Sequence, residues 1–218
     1  MKHVAIYGKG GIGKSTVSAN ISYQLTEKGL KVVQIGCDPK HDSTRLLLGG
    51  KGQTTVLDHI NSGSEDVGDT ISVGKNGTIC IETGGPEPGV GCAGRGILTA
   101  FNFIENNNII SEDTDVVLYD VLGDVVCGGF AVPLRRKYAD AVFIVTSGEF
   151  MSLYAANNVL KGVRNFDGDR ARVAGLILNM RGNEGEYEYV KNFADAVGLP
   201  IVTRIPRSSK FSSAESDG

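Results

Sequence analysis

Short apolar runs alternate with longer amphipathic stretches along the whole chain. The runs are rich in Val and Ile, and they predict strands at residues 4–7, 31–36, 78–82, 115–120, 141–146, 173–178 and 200–205. Most are apolar at consecutive positions, which is typical of parallel strands that helices cover on both faces. Helical spacing fills the intervals at residues 15–28, 97–106, 149–164 and 185–197. The order of elements predicts an α/β fold with a doubly wound, mostly parallel sheet and helices on both faces.

Neither an internal repeat nor a linker interrupts this alternation, so we predict one domain over residues 1–218. Gly29 follows the first helical stretch directly and is expected to end it in a left-handed conformation. The last residues, SSKFSSAESDG, are polar and carry no core pattern. We therefore expect no closing helix or strand at this end of the sequence.

Composition narrows the possible partners and compartment. The formal net charge is −3, which argues against nucleic acid as the main partner because phosphate binding favours a basic surface. No apolar run reaches the roughly 18 residues of a membrane span, and the N-terminus lacks the apolar core of a signal peptide. We expect a cytoplasmic protein without a membrane partner. Its four cysteines form no CxxC pair, which excludes a zinc ribbon or a self-contained ferredoxin motif.

The stretch GKGGIGKS, residues 8–15, matches the phosphate-binding P-loop pattern between a predicted strand and a predicted helix. Lys14 is expected on the β- and γ-phosphates and Ser15 on Mg²⁺. A second lysine within the loop, Lys9, cannot easily fold back onto its own nucleotide and could point to that of a neighbouring subunit, as in the deviant P-loop ATPases that work as dimers. The remaining predicted nucleotide-binding residues of the loop are Gly10, Gly11, Ile12, Gly13 and Thr16.

Acidic residues follow two of the predicted strands, at the sheet edge where ligands bind. Asp120 ends an apolar strand and is the expected Mg²⁺-side (Walker B) aspartate. Asp38 lies on a loop after the second strand, where it could position the attacking water, and Lys40 of the same loop is assigned to the nucleotide site. Asp42 is either part of this site or an ordinary solvated or capping residue. Asp124, on a glycine-containing loop, is a candidate γ-phosphate sensor.

The cysteines divide into two classes. Cys37 and Cys80 lie in or at the end of apolar strands and are interpreted as core packing. Cys92 in GVGCAGRG and Cys127 in DVLGDVVCGGFA lie on glycine-rich loops and are candidate metal thiolates. A [4Fe–4S] cluster needs four ligands, which two subunits related by a two-fold axis would supply. From these residues alone, two unrelated free thiols remain an equal alternative.

The stretches GKGGIGKST, GCDPKHDSTRL, GVGCAGRG and YDVLGDVVCGGFA together resemble the nitrogenase iron protein family, and the similarity extends over essentially the whole chain. The resemblance implies a homodimer with one [4Fe–4S] cluster, ligated by Cys92 and Cys127 of each subunit. It implies a ferredoxin-like electron donor and a separate catalytic component, with electron transfer gated by MgATP hydrolysis. Residues 38–44 and 120–127 resemble the two nucleotide-responsive switches, and Asn179 matches a position that contacts adenine.

The subgroup is suggested by fewer residues. His41 in CDPKHDST, with QIG before it, resembles the tetrapyrrole-reducing relatives, whereas STRLLLGG and YDVLGDVVCGGFAVPLR are closer to nitrogenase. This mixture favours the iron protein of nickel-sirohydrochlorin a,c-diamide reductive cyclase, which acts in coenzyme F430 biosynthesis. The alternatives are a nitrogenase iron protein proper and a positioning or scaffold ATPase. Family chains usually continue past the point equivalent to Gly218, with a segment that helps to bind the base.

Overall fold

The computed structural model of the chain describes residues 1–85, 93–123, 133, 138–167 and 172–217. The strands are β1 Lys2–Tyr7, β2 Val32–Cys37, β3 Ser72–Val73, β4 Ile79–Glu82, β5 Val116–Val121, β6 Ala141–Thr146, β7 Val173–Asn179 and β8 Ile201–Ile205. The helices are α1 Lys14–Glu27, α2 Val56–Ser62, α3 Ala93–Asn106, α4 Phe150–Asp167, α5 Glu186–Val197 and α6 Ser209–Asp217. A short 3₁₀ helix spans Val67–Thr70.

The eight strands found in the described residues belong to one sheet, in the order β3-β4-β2-β5-β1-β6-β7-β8. Every pairing is parallel except that of β3 with β4. The chain moves from β1 to one side of the sheet, returns to the centre through β5, and then continues through β6 on the other side. This change of direction places the carboxyl ends of β1, β2 and β5 together, where doubly wound sheets bind their ligands.

Side chains alternate between two apolar layers, one on each face of the sheet. Along β5, Val117 and Tyr119 pack into the larger cluster, which also contains buried residues of α2 to α5. Leu118, between them, packs into the opposite cluster with Val17 of α1. Helices therefore cover both faces, and the predicted doubly wound, mostly parallel sheet is confirmed.

The seven predicted strands and four predicted helices are all present, with ends that differ by up to four residues. Gly29 follows α1 with a φ of 86°, as expected for the glycine that ends a helix. Helix α2 and the two-residue strand β3 were not predicted. None of the helices in the described part of the chain is long and apolar enough to cross a membrane.

The expectation that no helix closes this end of the sequence is wrong, because α6 spans Ser209–Asp217. The hydroxyl of Ser208 accepts a hydrogen bond from the Lys210 N–H at 3.3 Å, which satisfies one of the free donors of the first turn. Because α6 is polar and packs little apolar surface, its sequence shows no hydrophobic stripe. The local capping by Ser208 is a signal that hydrophobic periodicity does not register.

Candidate nucleotide-binding site

The P-loop joins β1 to α1, as its sequence pattern requires. Gly13 immediately precedes the helix with a φ of 94°, and no side chain caps the first turn. A Cβ added at Gly13 would lie 2.6 Å from the amide nitrogen of Asn179, whereas one added at Gly10 would meet nothing within 4 Å. The loop thus packs closely against β7 on one side and is open on the other. The uncapped N–H groups of α1 are available to an anion on that open side.

A cleft of about 800 Å³ opens above this loop. It collects most of the predicted nucleotide-site residues from three separate parts of the chain. Those that line it are Gly10, Gly11, Gly13, Lys14, Ser15, Thr16, Asp38, Lys40 and Asn179, together with Asp42. Ile12 is buried beneath the cleft, and its carbonyl oxygen accepts a hydrogen bond of 2.7 Å from Asn179 Nδ2. The backbone carbonyl of Lys9 accepts a hydrogen bond from Lys14 Nζ at 3.3 Å.

Asp120, at the end of β5, does not itself line the cleft but lies beneath it, within the electrostatic range of Ser15 and Lys14. Its side chain is 3% exposed, and its Oδ2 accepts a hydrogen bond of 2.6 Å from the Ser43 hydroxyl. Burial raises the pKa of this carboxyl, while hydrogen bonds from Ser43 and Ser15 and the charge of Lys14 act in the opposite direction. The other carboxylate oxygen, Oδ1, is buried and has no hydrogen-bond partner among the residues that the structure describes. A Mg²⁺ ion or one of its bound waters would supply the missing partner, so the residues present fit the predicted ion.

The loop at residues 38–44 begins at the cleft with a tight turn. The Asp38 carboxylate accepts a hydrogen bond of 2.9 Å from the Lys40 N–H, and the Asp38 carbonyl accepts one of 2.9 Å from the His41 N–H. His41 has a φ of 45°, which is unusual for a residue with a side chain. The other end of the loop, Ser43 and Thr44, is buried. The loop therefore runs from the open cleft to the interior of the sheet edge.

Glu82 is a buried acid of this region that the sequence analysis missed. It ends β4, is fully buried, and accepts hydrogen bonds from the Thr44 N–H at 2.8 Å and the Thr44 hydroxyl at 2.7 Å. Burial is the largest cause that raises the pKa of Glu82 to about 7. A signal was available, since Glu82 follows an apolar strand in the same way as Asp120.

The far end of the cleft is formed by the ends of β7 and β8. Arg181 Nη2 donates a hydrogen bond of 2.6 Å to the carbonyl oxygen of Gly11, and Arg207 Nη1 donates one of 3.1 Å to the Arg181 carbonyl. Pro206 and Arg207, which follow β8, and Phe211 of α6 also line the cleft. This part of the chain supplies apolar and cationic surface beyond Asn179. The two arginines tie it to the P-loop, a role that sequence reasoning did not assign.

The predicted cluster ligands Cys92 and Cys127 and the predicted sensor Asp124 lie outside the described residues. Among the residues that the structure does describe, no group of three or more His, Cys, Asp or Glu side chains is arranged to hold a metal ion. Cys37 and Cys80 are both completely buried, which confirms that they pack in the core. Burial raises the pKa of the Cys80 thiol to about 12, so this thiol is an unreactive one.

Comparison with known proteins adds evidence from the whole sequence. Residues 2–217 match the family described as "4Fe-4S iron sulfur cluster binding proteins, NifH/frxC family". The chain is 52% identical over 216 residues to "Nitrogenase iron protein 2" of Methanothermobacter thermautotrophicus, covering 99% of this chain and 80% of that protein. It is 51% identical over 221 residues to "Nitrogenase iron protein" of Methanospirillum hungatei, covering 99% and 78% of the respective chains.

Among solved structures, the cell division ATPase MinD of Pyrococcus furiosus superposes with a TM-score of 0.75 over 100% of this chain and 88% of its own, at 20% identity. A cobyrinic acid a,c-diamide synthase from Mycobacterium smegmatis, solved with an ATP analogue and magnesium, superposes with a TM-score of 0.72 at 19% identity, over 96% of this chain and 86% of its own. At this level of identity the superpositions establish the α/β fold alone.

Proposed function

The chain belongs to the NifH/frxC family of 4Fe–4S iron–sulfur cluster binding proteins, and we propose that it passes electrons to a tetrapyrrole-reducing catalytic component. Membership makes it an ATP-dependent electron-transfer reductase with MgATP and a [4Fe–4S] cluster as cofactors. The family works as a homodimer with a separate catalytic component. The identity of the catalytic component, the identity of the electron donor and the role assigned to each residue are what we propose.

The observation that carries the nucleotide part is the unpartnered Oδ1 of Asp120 beneath an open P-loop. In the proposed site, the loop backbone and Lys14 bind the phosphates, while Ser15 and Asp120 hold Mg²⁺. Asp38, whose loop faces the same cleft, orients the attacking water. At the other end, the Asn179 amide and the surface of Pro206 and Phe211 would receive the base. Lys9 of one subunit would reach the nucleotide of the other.

Asp124, Cys92 and Cys127 complete the proposal on the strength of their sequence motifs. Asp124 would sense the γ-phosphate, and the two cysteines would each supply a thiolate to a cluster shared between subunits. When bound, the cluster supplies one-electron transfer. A ferredoxin-like protein is the proposed donor, because the cluster must be reduced again after each transfer.

An exposed apolar patch supports a dimer that forms on the same side of the molecule as the nucleotide. Phe150, Met151 and Tyr154 are 77%, 53% and 52% exposed, and the rings of Phe150 and Tyr154 stack with centroids 6.4 Å apart. They lie in the first turns of α4, just after the carboxyl end of β6. The P-loop touches this strand, because a Cβ at Gly8 would lie 2.3 Å from the Val145 carbonyl oxygen. We propose the patch as part of the dimer face.

The choice of partner rests on His41 and the residues before it. Nickel-sirohydrochlorin a,c-diamide reductive cyclase is the proposed catalytic component. The second candidate is a nitrogenase component, which the names of both curated relatives favour. In either case His41 lies on the loop that faces the cleft, between Lys40 and Asp42, where it could report the nucleotide state or touch the partner.

The test mixes the reduced protein and MgATP with each catalytic component in turn, under strict anaerobic conditions. We expect the absorbance of the tetrapyrrole substrate to be lost only when MgATP and the cyclase component are both present. Omission of MgATP, and the Lys14→Ala protein in place of the wild type, are the controls. Acetylene reduction with the nitrogenase component, together with no reaction in the cyclase mixture, would establish the second candidate instead.

A further inference from the structure

The loop at residues 38–44 ends on two buried carboxylates that come from different strands. The Ser43 hydroxyl donates to Asp120 of β5, and the next residue, Thr44, donates both its N–H and its hydroxyl to Glu82 of β4. The Thr44 hydroxyl oxygen also accepts a hydrogen bond of 3.0 Å from Gln53 Nε2, which orients it toward Glu82. One carboxylate belongs to the proposed Mg²⁺ site. The other has no role in the nucleotide site described above and does not line the cleft.

The sheet leaves space for the Glu82 side chain at this point because Gly36 has no side chain. Glu82, Gly36 and Asp120 are register partners in one row across β4, β2 and β5. A Cβ at Gly36 would lie 1.9 Å from Glu82 Oε2 and 2.8 Å from the Ser43 Cβ. The carboxylate therefore occupies the space above Gly36, beneath the end of the loop. The carboxylate is fully buried there, and its hydrogen-bond donors are the N–H and hydroxyl of Thr44.

The segment that follows Glu82 packs against the beginning of the same loop. The Thr83 N–H donates a hydrogen bond of 2.9 Å to the Gly36 carbonyl oxygen, which fixes the exit from β4. Beyond it, Gly85 lies against Pro39, since a Cβ at Gly85 would be 2.4 Å from the Pro39 Cβ and 2.8 Å from its Cα. Residues 82–85 are thus joined to residues 39–44 at both ends. In sequence, residues 82–85 lead toward Cys92.

We infer that Glu82 is a positioning residue that couples the nucleotide-facing loop at residues 38–44 to the exit of β4 at residues 83–85. The inference rests on the proposed function, because it takes the cleft to be a nucleotide site. Because Thr44 donates two hydrogen bonds to the Glu82 carboxylate, a displacement of Thr44 also displaces the end of β4. A change in the positions of Asp38 and Lys40 on nucleotide binding therefore also shifts residues 83–85.

Hydrogen–deuterium exchange of the cluster-loaded chain, with and without a Mg²⁺-bound non-hydrolysable ATP analogue, tests this inference. In the wild type we expect the analogue to slow exchange at residues 38–44 and at residues 83–85. In Glu82→Ala the response at residues 38–44 should persist while most of the response at residues 83–85 is lost, because only the contact of Gly85 with Pro39 still joins the two segments. The Thr44 amide, which donates to Glu82, should exchange at least about tenfold faster in this variant. Its dissociation constant for the analogue, measured by calorimetry, should rise by no more than about tenfold.

Three further variants separate positioning from a general loss of structure. Glu82→Gln keeps an acceptor for Thr44 and should restore the response at residues 83–85, while Thr44→Val removes one of the two bonds and should weaken it. Cys80→Ala alters the same strand without touching the loop and should respond as the wild type does. An unchanged response in Glu82→Ala, an equal loss in Cys80→Ala, or no rescue by Glu82→Gln would each overturn the inference alone. A wild-type chain that binds no analogue would overturn the proposed function as well.

Discussion

At the residue scale, the site depends on two acids, Asp120 and Glu82, that end the apolar strands on either side of β2 and are buried away from water there. Asp120 keeps one oxygen without a protein partner, and Glu82 likewise has its Oε2 buried and unpartnered. A buried carboxylate of this kind is unfavourable unless something else compensates its charge. For Asp120 the proposed compensation is Mg²⁺ and Lys14. Within the described part of the chain Thr44 alone donates to Glu82, and burial raises the pKa of this carboxyl to about 7.

Nucleotide chemistry should depend on Lys14 and Asp38 in different ways. Lys14→Ala removes the charge that the phosphates meet and should abolish tight MgATP binding. Asp38→Asn keeps the shape of the loop and should still bind, but hydrolysis should slow by about two orders of magnitude or more if the carboxylate orients the water. Phosphate release and calorimetric binding would be measured in parallel, with Lys51→Ala as the control for loss of an exposed lysine. Hydrolysis at the wild-type rate in Asp38→Asn would remove that residue from the mechanism.

The stability of the protein should depend on the ionisation of Glu82 between about pH 4.5 and pH 7. The pKa of Glu82 is raised on folding from 4.5 to about 7, so in this window the folded chain holds a proton that the unfolded chain has lost. The contribution of Glu82 to the free energy of unfolding therefore falls as pH rises through this window and is constant above it. Glu82→Gln cannot titrate. Its Tm relative to the wild type should rise across the window by a few degrees, equivalent to roughly 1–3 kcal/mol. A Tm difference that is constant with pH would contradict the raised pKa.

At the scale of elements, the sequence predicts most strongly where hydrophobic periodicity is strong. β1, β2 and β4 to β8, and four of the helices, are recognisable because each buries an apolar run or stripe. Helix α2 was not recognised because it has seven residues and is held by a capping box in which Thr55 and Asp58 bond each other's backbone N–H groups. The polar helix α6 likewise has no stripe to detect. The hydrogen bonds from Thr44 to Glu82 could not be predicted from the sequence, because they depend on the order of the strands in the sheet.

The two ends of α1 offer a matched pair of glycines with left-handed backbones. Gly13, before the helix, has a φ of 94°, and Gly29, after it, has a φ of 86°. Either change to alanine should cost about 1 kcal/mol through backbone strain. Gly13→Ala also brings a Cβ to 2.6 Å from the Asn179 amide, whereas Gly29→Ala meets nothing within 4 Å. Both variants should lower the Tm, but only Gly13→Ala should lose nucleotide affinity. Equal affinities in the two variants would show that the contact of the P-loop with Asn179 has no part in binding.

At the scale of the whole molecule, the parts of the site are connected through the sheet rather than through a single loop. β5 carries Asp120 and leads in sequence toward Asp124 and Cys127, while β4 carries Glu82 and leads toward Cys92. Both strands pair directly with β2, whose end begins the loop at residues 38–44. Each proposed cluster ligand therefore follows a strand whose last buried acid is bonded to that loop. A homodimer would bring two such pairs of cysteines to one shared centre.

The cluster should depend on Cys92 and Cys127 and on no other cysteine of the chain. In a shared site each single change to serine removes one ligand per subunit, and so half of the four thiolates. Cys92→Ser and Cys127→Ser should therefore each abolish iron binding and the visible absorbance band near 400 nm. Cys37→Ser and Cys80→Ser should keep the iron. Cys80→Ser should also unfold at a lower temperature, because it puts a hydroxyl in place of a fully buried thiol. Iron analysis should give four irons per dimer in the wild type, and four per monomer would contradict the shared site.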